Sequence, residues 1–569
     1  MGWVQNYHPV GPLWLSAIVA ALPIVVLLLA LGAFRRSAHL SAALGLGTAV
    51  VVAFAAYRMP VDLLASSTVL GLVFGVWPIA WIAFNAVYFH NVTVATGRFE
   101  SIRRALSGFN PDRRLQALLI AFGFGALLEG VAGGGSPIAI TAAMMAALGF
   151  QPIKAVVLAL LANTAPVAFG GLGNPLIVLG TVAGPLMDTD PETATELFSA
   201  MAGRQLPLLS LVVPALMVAV LAGWRRTLEV WPALLTTGGT FAVTQFLVAN
   251  YLGPSLVDVV SALAAMGALW GLTRFWQPPT VWRFEGEPAD DDAAAVERAR
   301  AAGADTEPEH RGVRAWTPYL ILIAVIFISR IGSIFTLPPW ADVTAWLQAA
   351  TVVIPWPGLH EEVVRVPPIT AEDTPYPAEL SLDLLYSAGT VALIASVIAG
   401  LVMRASVRTL VRVYWETAVQ MRWALATITM ILAIAHVMNY SGATSTLGLA
   451  LATTGFLFPF FAAFVGWLGV FLTGSDASSN SLFGPMQVVS AQQLDVNPVL
   501  AGSANTTGGV MGKMISPQNL SVGATAIGQS GRESVLLRQT FGWSVLLTAV
   551  VGLLTLVQAH LLPWMIPTP

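Results

Sequence analysis

Apolar runs of about twenty residues, bounded by arginine, proline or acidic clusters, recur from one end of this chain to the other. They fall near residues 13–34, 38–57, 63–90, 153–180, 205–223, 228–250, 255–273, 316–336, 382–403, 422–440, 498–528 and 541–562. A helix rises 1.5 Å per residue, so about twenty such residues match a hydrocarbon layer ~30 Å thick. The pattern predicts an all-α polytopic membrane protein with about twelve transmembrane helices. Two further segments, 115–149 and 463–494, carry too many glycines and polar residues for a plain crossing and read as re-entrant hairpins.

Those two segments belong to a repeat. GALLEGVAGGGSPIAI is followed by a helical stretch and ANTAPVAFGGLGNP. Later GVFLTGSDASSNSLFG is followed by a helical stretch and ANTTGGVMGKMISP. Asn163 and Asn505 stand 342 positions apart, and each is followed twelve residues on by a proline, Pro175 and Pro517. Two interruptions in the same order with the same downstream spacing point to a duplicated core of broken helices, the arrangement of a transporter. Basic residues fix the orientation. With the N-terminus outside, most of the 27 lysines and arginines fall in inner loops, while the acidic stretches around Asp188–Glu196 and Glu361–Asp373 fall outside. By the same parity the first hairpin enters from the inside and the second from the outside, so the repeats are inverted.

The resulting plan is an N-terminal helix pair (1–62), a first inverted repeat (63–227) with hairpin 115–149 and broken helix 153–180, and a further helix pair (228–273). A hydrophilic linker (274–315) follows on the cytoplasmic side. Next come helices with an acidic, proline-rich outer loop (316–419, loop 337–381), and a second repeat (420–565) with hairpin 463–494 and broken helix 498–528. Residues 93–107 and 404–420 carry arginine at helical spacing and read as interfacial helices. The N-terminus lacks a basic region before its apolar run, so Leu13–Phe34 reads as the first span rather than a cleaved signal. With 56% hydrophobic and 10% charged residues a water-soluble globule is excluded. The absence of cysteine removes disulfides, thiolate nucleophiles and thiolate metal sites, and the seven histidines show no ligand spacing. No cofactor, metal, catalytic residue or nucleic-acid partner is expected.

An unpaired backbone N–H or C=O in hydrocarbon costs several kcal/mol, so glycine-rich breaks survive only where protein or water covers them. Gly134, Gly135 and Ser136 at the first tip, with Pro137 opening the returning helix, aim free N–H groups into the tip and suit an anion such as a carboxylate. Ser478, Ser479 and Asn480 can play the matching part, and the small residues of either tip can instead serve close helix contact. Asn163 and Thr164, with Asn505 and Thr506, offer uncharged hydrogen bonds to a substrate, or to the broken backbone itself. Glu129 and Asp476 lie deepest among the acidic residues, beside the tips, and are candidates for taking up and releasing a proton. Lys513 and Arg330 are the cations placed within spans. Lys513 is read as facing either a substrate carboxylate or Asp476; Arg330, near its span's outer end, either binds substrate or snorkels. His436 reads as a packed core residue or a proton relay.

LLEGVAGGGSPIAITAA, ANTAPVAFGGLGNP, NYSGATSTLGLAL, GWLGVFLTGSDASSNSLFG, ANTTGGVMGKMISPQ and GRESVLLRQT together resemble the L-lactate permease family, over most of the membrane chain and most closely in the last 130 residues or so. The resemblance implies proton symport of L-lactate and related 2-hydroxymonocarboxylates, D-lactate and glycolate among them, across a cytoplasmic membrane. It also implies kinship with transporters that use paired hairpins and elevator-like movement. The family's first tip usually reads GFG before Thr-Pro, where this chain has Gly133–Gly135 before Ser136 and Pro137; the loss of the aromatic bears on which acid is preferred. A homodimer is a candidate assembly. Sodium coupling is the close alternative, since hydroxyls and carbonyls also suit Na⁺, and an intramembrane hydrolase using Ser475 or Asp476 is the alternative from another class.

Overall fold

The computed structural model describes all residues except 1, 33, 35, 108, 132, 134, 285–315, 330, 335–337, 339, 371, 530–531 and 569. Most of the expected hydrophilic linker therefore lies outside the described residues. The chain is helical and built for a membrane. Among the described residues ten helices are long and apolar enough to cross, or eleven if Ala443–Ala452 and Gly455–Phe471, bent by 110°, form one span. Three of the expected spans fall outside that count: Thr317–Ser329, which ends where residue 330 lies outside the described residues, and Ala388–Val402 are shorter apolar helices, and 498–528, expected as a broken helix, is divided into Pro498–Gly512 and Pro517–Ala526. Conversely, Arg113–Val131, the entering arm of the expected first hairpin, is long enough to cross.

Both repeats show the same succession of elements. Arg113–Val131 turns back into Ser136–Ala147, followed by Pro152–Ala162, a break, Gly170–Ala183 and the long helix Pro191–Ala222. Phe458–Thr473 turns back into Asp476–Gln493, followed by Pro498–Gly512, a break, Pro517–Ala526 and the long helix Glu533–His560. Four of these helices start on a common device: proline in the first turn preceded by Gln151, Asp190, Asn497 or Ser516. Proline presets the first turn and has no N–H to leave unpaired, while Asp190, Asn497 and Ser516 accept backbone N–H groups two or three positions further on.

The repeats form the centre. Leu13–Ala30 and Ala38–Ala55 are each only one-third buried and turn Trp14, Ile18, Leu44 and Phe54 outward, as lipid-facing helices do, whereas Arg113–Val131 is buried at every residue after Arg113. The expected interfacial helix at 404–420 is not separate. It continues into the following span as one 35-residue helix, Val407–Ser441, because no glycine or proline interrupts that stretch. Of the expected helix at 93–107, Arg98–Ser107 forms a short separate helix with Ile102 and Leu106 buried, while residues 93–95 end the preceding helix Trp81–Ala95. The outer loop holds strands that sequence reading did not anticipate. Val352–Pro355 pairs antiparallel with Glu379–Leu382, and Val363–Arg365 pairs with Thr374–Pro375 and, in parallel, with Trp3–Val4 from the N-terminus.

The two breaks differ in kind. The first helix stops at Asn163, and Gly171, Leu172 and Gly173 all adopt the left-handed conformation before the helix resumes. A methyl group on Gly173 would come within 2.6–2.9 Å of Pro254, including its backbone. The second helix runs through Asn505 and Thr506 and breaks only at Lys513–Ser516, so the second Ala-Asn-Thr tripeptide lies inside a helix whereas the first ends one.

Gly173→Ala combines a left-handed backbone with that overlap and should cost about 2 kcal/mol or more. The checking measurement is the thermal midpoint in detergent, which should fall by several degrees, while Gly267→Ala, which meets nothing within 4 Å, should leave it in place.

Candidate functional site

Glu129 sits in Gly125–Val131, just before the first tip, where Gly133 and Gly135 have φ of 57° and 86°. The tip leans on the first break: a methyl on Gly170 would come within 2.6 Å of Glu129 Oε1, and one on Gly133 within 3.5 Å of the Gly171 nitrogen. It also leans on the second break, since a methyl on Gly135 would come within 2.9 Å of Asn519 Oδ1. The second tip meets the same break, with Gly474 (φ 73°) against Gln518 and the Gly474 carbonyl accepting from Asn519 Nδ2 at 3.5 Å. At Gly170, Gly135 and Gly474 an added side chain would force these contacts apart, while at Gly133 the left-handed backbone is what favours glycine.

The two tips and the two breaks converge on one ion pair. Lys513 Nζ lies 2.5 Å from Glu129 Oε1, with the two side chains 5% and 3% exposed. The other carboxylate oxygen of Glu129 accepts from Asn163 Nδ2 at 2.9 Å. The first hairpin, the first break and the second break are thus joined through one carboxylate. Removing either charge of such a pair leaves the other without compensation in a dry setting.

Two more buried carboxyls stand in the electrostatic field of this pair, Asp476 on the first turn of the second hairpin's returning helix and Asp258 on the first turn of Val257–Phe275. All four carboxyl oxygens are buried without a hydrogen-bond partner among the described residues. Asp476 Oδ1 lies against Gly509, and Asp258 Cβ lies 2.6 Å from where a methyl on Gly130, the residue after Glu129, would sit. One ammonium therefore serves three carboxyls and contacts one. A second polar chain runs alongside: Asn480 Nδ2 donates to the Pro175 carbonyl at 2.9 Å, Asn505 Nδ2 donates to Asn480 Oδ1 at 2.8 Å, and Gln487 Nε2 donates to Asn505 Oδ1 at 3.0 Å. These bonds give the Pro175 carbonyl a partner and tie the second hairpin to the first broken helix.

The residues expected from sequence divide accordingly. Glu129, Asn163 and Lys513 meet directly, and Lys513 reaches Glu129 rather than Asp476, so an Asp476–Lys513 contact pair is not formed. Gly135, not Ser136, occupies the cap position of the first returning helix, and Ser475, not Ser478–Asn480, caps the second, its hydroxyl accepting from the Ser478 N–H. Each cap falls before its expected place because the chain enters helical geometry sooner. Thr164 spends its hydroxyl on the Leu161 carbonyl and Ser479 on the Gly466 carbonyl. Asn163 Oδ1 and Thr506 Oγ1 remain buried without partners among the described residues. His436 is a core residue, bonded to the Leu432 carbonyl and stacked on Phe74 and Tyr440. Gly134 and Arg330 lie outside the described residues. Sequence reading missed Asp258 and Gln487: an aspartate in a first turn, four residues after a proline, reads as an ordinary helix start facing water. Ser478 and Ser481 line a crevice of about 10 Å³ with Ile79, Val178 and Leu432, room for about one water molecule.

Residues 16–562 match the family model described as L-lactate permease. The chain is similar to the glycolate permease GlcA of Escherichia coli strain K12, at 42% identity over 99% of each protein. It is also similar to the L-lactate permease of Salmonella typhimurium, at 41% identity over 99% of this chain and 100% of that one. A solved structure of Neisseria gonorrhoeae MtrF aligns at 12% identity with a TM-score of 0.45, over 88% of this chain and 84% of that one.

Lys513→Met or Glu129→Gln alone should destabilise the protein by ~3–5 kcal/mol, because each strands one buried charge. The double variant should recover most of the loss. Thermal unfolding of the four proteins in one detergent checks this; additive losses would show that the pair does not couple.

Proposed function

Because this chain belongs to the L-lactate permease family, we propose that it is a secondary transporter that imports L-lactate and related 2-hydroxymonocarboxylates by proton symport. The observation that supports this most directly is the single buried ammonium of Lys513, paired with Glu129 and flanked by two carboxyls that accept no hydrogen bond among the described residues. A dry cluster with one cation holds one anion at a time without large cost. A substrate carboxylate entering between the tips would take the place of Glu129 on Lys513, and the displaced Glu129 would then carry a proton. The 2-hydroxyl of the acid would donate to Asn163 Oδ1 or pair with the Thr506 hydroxyl, both of which have bonding capacity left over.

In this exchange the cluster gains one anion and one proton, so its net charge is unchanged. The consequence is energetic. Lactate is ionised at neutral pH, and drawing it in against a negative-inside potential costs about 2.3 kcal/mol per 100 mV unless a proton accompanies it. The Glu129–Lys513 pair closes the site, with both partners buried, so loading requires the tips and breaks to separate. Alternating access would then move one part of the protein so that the loaded cluster faces either side in turn. Asp476, beside the same lysine on the opposite hairpin, keeps a second acid close to the site as Lys513 changes partner. Gly135 of the first tip, with Ser478, Ser479 and Asn480 of the second, would form the wall against which the small acid rests. Hydrolysis finds no support, since the Ser475 hydroxyl is engaged as a helix cap and the relatives are permeases.

Reconstituted protein should accumulate labelled lactate in response to an inward pH gradient and ignore a sodium gradient. Accumulation that requires Na⁺ and does not follow the pH step would instead support sodium coupling. With Glu129→Gln, gradient-driven accumulation should fall at least tenfold more than lactate exchange at equal pH, because exchange need not release the proton; equal loss of both would make Glu129 structural only.

A further inference from the structure

Asp258 is almost fully buried, at 1% exposure, yet it has no conventional structural job. Among the described residues neither oxygen bonds anything and no cation lies in contact, and its side chain presses on Gly130, the residue next to Glu129. A helix begun by an acid normally leaves that acid in water, where it costs nothing. Here Gly253 has φ of 75° and drives the chain into the Pro254–Leu256 turn, and Gly173 lets that turn sink against the first break. The outcome is an acid one helical turn beyond Ser255, which is partly exposed, and beside the site on its other end. On the orientation given by the arginine distribution, the loop between Trp231–Tyr251 and Val257–Phe275 lies at the outer side.

We propose that Asp258 is the positioning residue that delivers the coupling proton from the outer side to Glu129; this rests on proton symport as proposed above. The step balances. As a substrate carboxylate takes Lys513, the Asp258 carboxylic acid passes its proton to the released Glu129 carboxylate, and the Asp258 carboxylate regains a proton from water through the Ser255 end of the helix. One proton and one carboxylate enter the cluster and nothing else changes. The groups that act on Asp258 are Glu129, from the first hairpin, and Lys513, from the second break. Of the helices packed against Val257–Phe275, Thr317–Ser329 adds Tyr319, buried with its hydroxyl unbonded among the described residues, and Trp231–Tyr251 adds only Tyr251, which is exposed. Gly170–Ala183 adds no titratable group. No competing acid or base on those helices therefore stands between Asp258 and Glu129 among the described residues.

The test is the ratio of pH-driven lactate uptake to equilibrium lactate exchange, measured with labelled lactate in proteoliposomes for wild type, Asp258→Asn, Asp258→Glu and Glu129→Gln. Asp258→Asn should lower the ratio at least tenfold, whereas Asp258→Glu, which keeps the acid, should hold it within about threefold of wild type. A structural role would depress uptake and exchange alike, so an unchanged ratio in Asp258→Asn overturns the inference. An equal fall in Asp258→Glu also overturns it, since shape rather than the proton would then be at fault. Should Asp258→Asn not fold, Asp258→Ser takes its place: a tenfold lower ratio supports the inference and an unchanged one overturns it. Wild-type protein that ignores the pH step sinks proton symport and this inference with it. Wild type that responds while Asp258→Asn keeps its ratio sinks this inference alone.

Discussion

The contact between Lys513 and Glu129 is the constraint on which the centre of this structure depends. A charged pair inside a membrane protein is tolerated only if each charge is matched and the remaining lone pairs are bonded. Lys513 is placed by the second break, Glu129 by the first hairpin, and the Asn163 amide that completes the carboxylate by the first break. Misplacing any one of these elements would leave a charge exposed to a dry interior. The pair therefore ties the two repeats to each other.

Around that contact the protein solves the problem that broken helices create. Each break frees backbone groups that lipid cannot satisfy. The solution is reciprocal: the first tip covers both breaks, the second tip covers the second break, and Asn480 of the second hairpin bonds the carbonyl of Pro175 in the first broken helix. Glycine serves here as an absence of side chain at Gly135, Gly170 and Gly509, where tip and break or carboxyl and helix touch. The peripheral helices show the opposite economy, with large apolar side chains turned outward and few polar ones to place.

The same geometry separates the acids by environment. Asp112 and Glu229, near the inner end of the first hairpin, hold the buried Arg114 at 2.7 Å in a fully paired network that also uses the carbonyls of Arg226 and Thr280. Arg114 lies at the foot of a hairpin whose upper end carries Glu129, and its bonds anchor the entering arm to the following helices. By contrast Asp258 and Asp476 have no such partners among the described residues. One hairpin thus carries a saturated charge network at its foot and meets an unsaturated one at its tip.

What the sequence determined by itself was set by composition and period. Lipid accepts only helices with satisfied backbones, so the apolar runs, the glycine-rich interruptions and their repetition 342 residues apart already specified an all-α membrane protein with two broken-helix units. Glu129, Lys513 and Asn163 were visible because charge and amide are rare at such depth. Tertiary structure decided the rest. It chose Glu129 over Asp476 as the partner of Lys513, because partner choice depends on how two segments 384 residues apart are brought together and no local pattern encodes that distance. It placed the second break after Asn505 rather than at it, joined residues 407–441 into one helix, and built strands from an outer loop that reads only as proline-rich and acidic. Above all it buried Asp258, an ordinary helix-start aspartate by its neighbours in sequence, by sinking the turn before it against Gly173. Depth in a folded membrane protein is a property of what packs around a residue, and that is what a linear pattern cannot carry.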